Sequence, residues 1–284
     1  MFACFTAGVL LSVREVSIRF GGIVALDRLS FEAAEGSVVG LIGPNGAGKT
    51  TMFNCITRIY APSSGQILLD GHDLLLDRPH RIIRRGVART FQNVELFRRM
   101  TVLDNVLVGL HSSSGAASFD WLGTAVALPW TRRQESRARE RALAALEDVG
   151  LASLADQPVA GLPFGTLKAI ELARALVSRP RLLLLDEPAG GLNHEEIGVL
   201  ASLLKRLHAA YGLTLLVVEH HMSLVMAVSD RVVVLDFGRK IAEGSPREVQ
   251  EDPSVIEAYL GTGALLPAGR GSPGSGVPAE GTSH

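Results

Sequence analysis

The residues Gly43-Pro44-Asn45-Gly46-Ala47-Gly48-Lys49-Thr50-Thr51 have the types and spacing to hold a polyphosphate. Gly43, Gly46 and Gly48 can take positive φ without a Cβ clash, so successive backbone N–H groups can converge on phosphate oxygens. Lys49 would reach the β- and γ-phosphates, and the Thr50 hydroxyl would ligate Mg²⁺. Lys49 is one of only four lysines in a chain whose basic charge is otherwise arginine. A second candidate group is Asp186-Glu187, directly after Leu182-Leu183-Leu184-Leu185. One carboxylate there can hold Mg²⁺, directly or through water, and the next can polarise a water against the γ-phosphate. An acidic pair after a strand is common by itself, and gains weight from the glycine loop in the same chain.

These side chains need elements to position them. Val38 to Ile42 reads as a short buried strand before the glycine loop, and Thr51 to Ile56 as the start of a helix after it. The positive end of that helix, with its unpaired N–H groups, favours an anion. Four leucines in a row suit a strand buried on both faces, as in parallel sheets. Such sheets take their ligands at the carboxyl ends of their strands. Strand segments are expected over 11–18, 25–31, 66–69, 87–92, 214–219 and 231–236, and a short basic helix over 78–85. Helices are expected over 103–110, 137–149, 167–177, 195–210, 222–228 and 247–260. In the second of these, Ala138, Ala142, Ala145, Leu146 and Val149 share one face. Alternating β and α argues for a largely parallel α/β sheet. The Gly/Ser/Ala stretch 112–118 and the apolar one from Trp121 to Trp130 form a loop within a helical insertion, and the two tryptophans fit either packing or docking. Beyond Gly261 glycine, proline and serine dominate, as in a disordered tail over 262–284.

The 284 residues suffice for a substantial core. With 28 basic and 29 acidic residues, no global field points to nucleic acid or anionic lipid. Cys4 and Cys55 lack metal-ligand spacing and fit a reducing compartment. The apolar start has no basic leader region, and no run of about 18 apolar residues suggests a membrane span.

The glycine loop, the Leu-Leu-Leu-Leu-Asp-Glu-Pro strand, Phe91-Gln92 between them and Glu219-His220 after them resemble, in order and spacing, the ATP-binding-cassette (ABC) ATPases. The resemblance covers about 11–261 and implies a P-loop core, an antiparallel β subdomain, and a helical subdomain inserted at about 93–165. By resemblance, Phe20 stacks on adenine, Gln92 senses Mg²⁺ and the attacking water, Glu187 is the base, and His220 contacts the γ-phosphate. Taken alone, Phe20 reads as a core aromatic. The family's signature loop falls on Leu162-Pro163-Phe164-Gly165-Thr166, where Pro163 lacks both a hydroxyl and an N–H and Thr166 replaces an amide. Asn193 stands where many members carry aspartate.

Arg19-Phe20-Gly21-Gly22, Phe53 to Thr57, Arg89 to Phe97, Ala189 to Asn193 and Glu219-His220 with Met222 to Met226 resemble the branched-chain amino acid importer ATPases, a subgroup with urea and amide relatives. The resemblance implies ATP and Mg²⁺ as ligands. It also implies a second cassette (like or unlike), membrane permeases and, indirectly, an extracytoplasmic solute-binding protein as partners. The chain would then lie on the cytoplasmic face of the plasma membrane. A GTPase or small-molecule kinase shares the glycine loop, but Asn-Lys-x-Asp is missing. A soluble cassette acting on ribosomes or DNA is the other rival class, and the chain has one glycine loop and no basic stripe.

Overall fold

A computed structural model describes residues 8–90, 95–111 and 129–260. Cys4, Gln92, most of the loop with Trp121, and the 262–284 tail lie outside the described residues. The chain opens with two long strands, β1 (Val9–Phe20) and β2 (Ile23–Ala34), joined by a turn at Gly21-Gly22. Strand β3 (Val38–Ile42) leads into helix α1 (Lys49–Ile56), then β4 (Ser64–Leu69) and β5 (His72–Asp73) follow. Strand β1 pairs antiparallel with β2 and β4, and β4 with β5, giving one sheet of order β2-β1-β4-β5.

After β6 (Val87–Arg89) come helices α2 (Val102–His111), α3 (Pro129–Asp148) and α4 (Phe164–Leu176). The core continues with β7 (Leu182–Asp186), α5 (His194–Tyr211), β8 (Thr214–Val218), α6 (Met222–Val228), β9 (Arg231–Asp236) and β10 (Arg239–Gly244). Short helices α7 (Pro246–Glu251) and α8 (Pro253–Leu260) close the described chain. The second sheet has order β10-β9-β3-β8-β7-β6, and all its pairings are parallel except β9 with β10.

The leucine run shows why this sheet is buried on both sides. Leu183 and Leu185 face one core with α2, α3, α4 and α5, while Leu182 and Leu184 face another. That second core takes residues from both sheets and places Met52, Phe53, Cys55 and Ile56 of α1 between them. Strand β8 repeats the division, with Leu215 and Val217 on one side and Leu216 and Val218 on the other. The period of two along each strand therefore serves two cores rather than one core and solvent. Cys55 fills space in the second core, and burial pushes its thiol up to about 11. The apolar face expected of 137–149 is buried at Ala142, Ala145, Leu146 and Val149, with Ala138 half-buried.

Several expected boundaries shift for local reasons. The basic segment is a 3₁₀ helix over Pro79–Arg85, ended by left-handed Gly86. Among the described residues the expected strand 87–92 is formed over Val87–Arg89, and 91–92 lie outside them. The expected final helix divides in two, because Pro253 follows Asp252, the C-cap of α7, and cannot continue its hydrogen bonds.

Candidate nucleotide site

The glycine loop joins β3 to α1, and its glycines are required where other backbone closes in. A Cβ on Gly43, whose φ is 150°, would lie 2.1 Å from the Leu235 carbonyl oxygen. One on Gly48, at φ 101°, would lie 2.5 Å from that of Ala25. The β9–β10 turn supports the loop from behind, since Gly238 N–H donates to the Ala47 carbonyl at 3.0 Å. Gly48 is the N-cap of α1 and offers no side chain, so the first-turn N–H groups carry no side-chain cap. Lys49 is buried, and its Nζ donates to the carbonyls of Gly43 (2.7 Å) and Pro44 (2.8 Å). Burial lowers its pKa, and the charges of Glu187 and Asp186 oppose that shift. The ammonium, the loop and both carboxylates therefore share one electrostatic neighbourhood.

Asp186 ends β7 and is almost fully buried. Its Oδ2 accepts from Arg89 at 2.6 Å, and the same guanidinium donates to Asn54 Oδ1 at 2.7 Å and lies 5.5 Å from the Phe53 ring centroid. Buried Oδ1 has no hydrogen-bond partner among the described residues. An oriented carboxylate oxygen beside a polyphosphate cradle fits a Mg²⁺-bound water or the ion itself, and the Thr50 hydroxyl on α1 is exposed. Arg89 and Asn54 carry this geometry, yet no spacing rule marks either, because Arg89 and Asp186 are 97 residues apart.

Glu187 leaves the strand in the left-handed region, at φ 47°. Its N–H still bonds to the Val218 carbonyl (2.9 Å), so the ladder between β7 and β8 runs up to it. His220, on the loop after β8, places Nδ1 3.8 Å from a Glu187 carboxylate oxygen. His221 places its Nδ1 3.2 Å from Glu219 Oε2. Of the two rings, the partly exposed His220 is the one near Glu187, and its Nδ1 also lies 3.9 Å from Glu219 Oε2. Phe20 is not a core residue. It is 44% exposed at the end of β1 and meets Tyr60 edge-on, with centroids 5.0 Å apart.

The loop 162–166 starts α4. Pro163 is its N-cap, without a side-chain hydrogen bond, and the half-exposed Phe164 ring lies against Gly191. Lys168 Nζ stands 5.6 Å from that ring's centroid. Asn193 caps α5 reciprocally with Glu196, a task that asparagine and aspartate perform about equally well.

A family model described as ABC transporter matches residues 26–190, and one described as branched-chain amino acid ATP-binding cassette transporter matches 239–264. The chain is 42% identical to the high-affinity branched-chain amino acid transport ATP-binding protein BraF of Pseudomonas aeruginosa, over 89% of this chain and 98% of BraF. Among solved structures, the ADP conformation of MJ1267, an ATP-binding cassette of an ABC transporter, superposes with a TM-score of 0.77 at 31% identity. That match covers 89% of this chain and 99% of MJ1267. The dimeric cassette MJ0796, in a post-hydrolysis state bound to ADP and Pi, gives 0.68 at 26% identity, covering 84% of this chain and 99% of MJ0796. The chain thus belongs to the ABC transporter ATP-binding proteins, and among them to the branched-chain amino acid type.

Proposed function

We propose that this chain hydrolyses ATP to drive uptake of branched-chain amino acids, or of a related small polar solute, as one of two cassettes beneath a pair of permeases. The observation that carries the chemistry is the meeting of Glu187 and His220, 3.8 Å apart, beside the loop of Lys49. The observation that favours transport over a ribosome- or DNA-directed ATPase is the end-to-end match to BraF. Among the described residues no helix is long and apolar enough to cross a membrane, and in this reading the permeases are separate subunits.

In this reading the glycine loop and Lys49 hold the triphosphate, and Phe20 stacks on its adenine. Thr50 and Asp186, with Gln92 by the resemblance, would hold Mg²⁺, which would supply positive charge against the phosphates. Arg89 keeps Asp186 oriented. Glu187 takes the proton of the attacking water, and His220 donates a hydrogen bond to the γ-phosphate oxygens. Leu162 to Thr166 face the nucleotide of a second cassette, like or unlike this one. A helical subdomain of about 93–165 receives the permease, and a solute-binding protein acts beyond the membrane. The chain then works peripherally on the cytoplasmic face. ATP does its work through a higher affinity for the closed pair of cassettes than for the open pair.

The test is uptake of radiolabelled leucine, isoleucine and valine by cells lacking this chain, restored with wild type or Lys49→Ala. Wild type should restore uptake and Lys49→Ala should not. Restoration of urea or amide uptake alone would move the solute to the relatives. No uptake change, with the chain sedimenting on ribosomes, would contradict the transport reading.

A further inference from the structure

Glu219 is fully buried and lies at the boundary between β8 and the His220 loop. A carboxylate in such a place is costly unless its oxygens are satisfied by hydrogen bonds. Here Oε1 accepts the Ala189 N–H at 2.7 Å, while Oε2 accepts the N–H groups of His220 (3.0 Å) and His221 (3.1 Å) and faces His221 Nδ1 at 3.2 Å. Three of these donors are backbone, and they belong to two loops. Ala189 sits two residues after Glu187, in the turn where Gly190 N–H bonds back to the Glu187 carbonyl at 3.0 Å. His220 and His221 form the loop after β8. The last register pair between β7 and β8 is Asp186 with Val218, followed by the Glu187 N–H bond to the Val218 carbonyl. Glu219, His220 and His221 bring three potential metal-ligand atoms within 4.8 Å of one another, but the Glu219 oxygens already accept N–H donors, so the cluster is an anchor.

We propose that Glu219 is a positioning residue, whose two oxygens tie the Glu187 loop to the His220 loop and set the separation of those two side chains. This rests on the reading of Glu187 as base and His220 as phosphate contact. The tie depends on charge and on length. Glutamine offers one acceptor and turns an NH₂ toward N–H donors, and aspartate is a methylene too short to serve both loops. Misplacement of reacting groups by about 1 Å can cost about 10²-fold in rate, while the hydrogen bonds of this carboxylate go to Ala189, His220 and His221 and not to the triphosphate cradle of 43–51.

The experiment compares Glu219→Gln with Glu187→Gln in the full transporter complex, by ATP turnover and by equilibrium binding of trinitrophenyl-ATP. Glu219→Gln should lower kcat about tenfold or more while the dissociation constant stays within about twofold, since kcat is the quantity that positioning controls. Glu187→Gln should abolish turnover in the same assay. If it does and Glu219→Gln keeps more than half of kcat, the positioning role is wrong and the base assignment stands. If Glu187→Gln keeps its turnover, the underlying reading fails first. Parallel loss of binding and kcat would make Glu219 a merely structural residue and overturn the proposal. Should Glu219→Gln not fold, hydrogen exchange on the wild type decides. The amides of Ala189, His220 and His221 should open together with one protection factor, and exchange of Ala189 independently of the other two would overturn the tie.

Discussion

Lys49 carries an ammonium into a buried position where two carbonyl oxygens hold it and burial lowers its pKa. A lowered lysine pKa means that the charged form costs folding stability below that pKa, and the cost fades as pH rises toward the ordinary lysine value. Lys49→Met should therefore leave the nucleotide-free chain at least as stable as wild type at neutral pH. It should also lose the stabilisation by ATP, which for wild type is about 2.7 kcal/mol at a hundredfold excess over Kd. Thermal melts with and without ATP measure both. Arg89 presents the opposite case. Replacing it by methionine strands Asp186 as a buried charge, and denaturant titration should show a loss of about 3–5 kcal/mol. The difference between these residues also explains what was legible. Lys49, Asp186 and Glu187 stand in short patterns that chemistry constrains, whereas Arg89 acquires its meaning only when β6 and β7 pair. Glu219 was visible as part of Glu-His, but its link to Ala189 spans 30 residues and needed the fold.

At the scale of elements, period-two burial made the inner strands readable, because Leu182 to Leu185 are apolar whichever core they face. Strand β10 had no such signal. Its residues Arg239 to Gly244 are half-buried or exposed, and pairing with β9 decides their conformation. The same holds for the segment between β5 and β6, where Asp77 gathers His72 at 2.8 Å and Arg85 at 2.7 Å. The Arg85 hydrogen bond holds the Asp77 carboxyl below its ordinary pKa, with a further hydrogen bond from His72. A depressed carboxyl pKa stabilises the fold above the ordinary value and loses that contribution as pH falls through the folded value. The stability difference between wild type and Asp77→Asn should thus be fully present above about pH 5 and shrink progressively as pH falls from there through the depressed folded value. Urea titrations from pH 7 to pH 2 test this, and a difference that does not shrink as pH falls would contradict it.

For the whole molecule, the account joins two unequal faces. The glycine loop with Asp186, Glu187 and His220 is complete in its residue types, whereas in the proposed pairing of two cassettes Pro163 and Thr166 would make the loop at the start of α4 a poorer hydrogen-bond donor to the opposing nucleotide. A hydrogen bond to a charged phosphate is worth about 1.5–3 kcal/mol, against about 0.3–1 kcal/mol for the helix end that remains. Pro163→Ser in the assembled complex should therefore raise the ATP affinity of one site by about tenfold, read as a second, tighter phase in nucleotide titration. An unchanged titration and turnover would remove the asymmetry. The whole cycle, however, depends on hydrolysis through Glu187. It is tested most directly by steady-state ATP turnover of the Glu187→Gln complex, with trinitrophenyl-ATP binding measured alongside. Turnover should fall by about a hundredfold or more with binding retained, and turnover within twofold of wild type would contradict the role of Glu187.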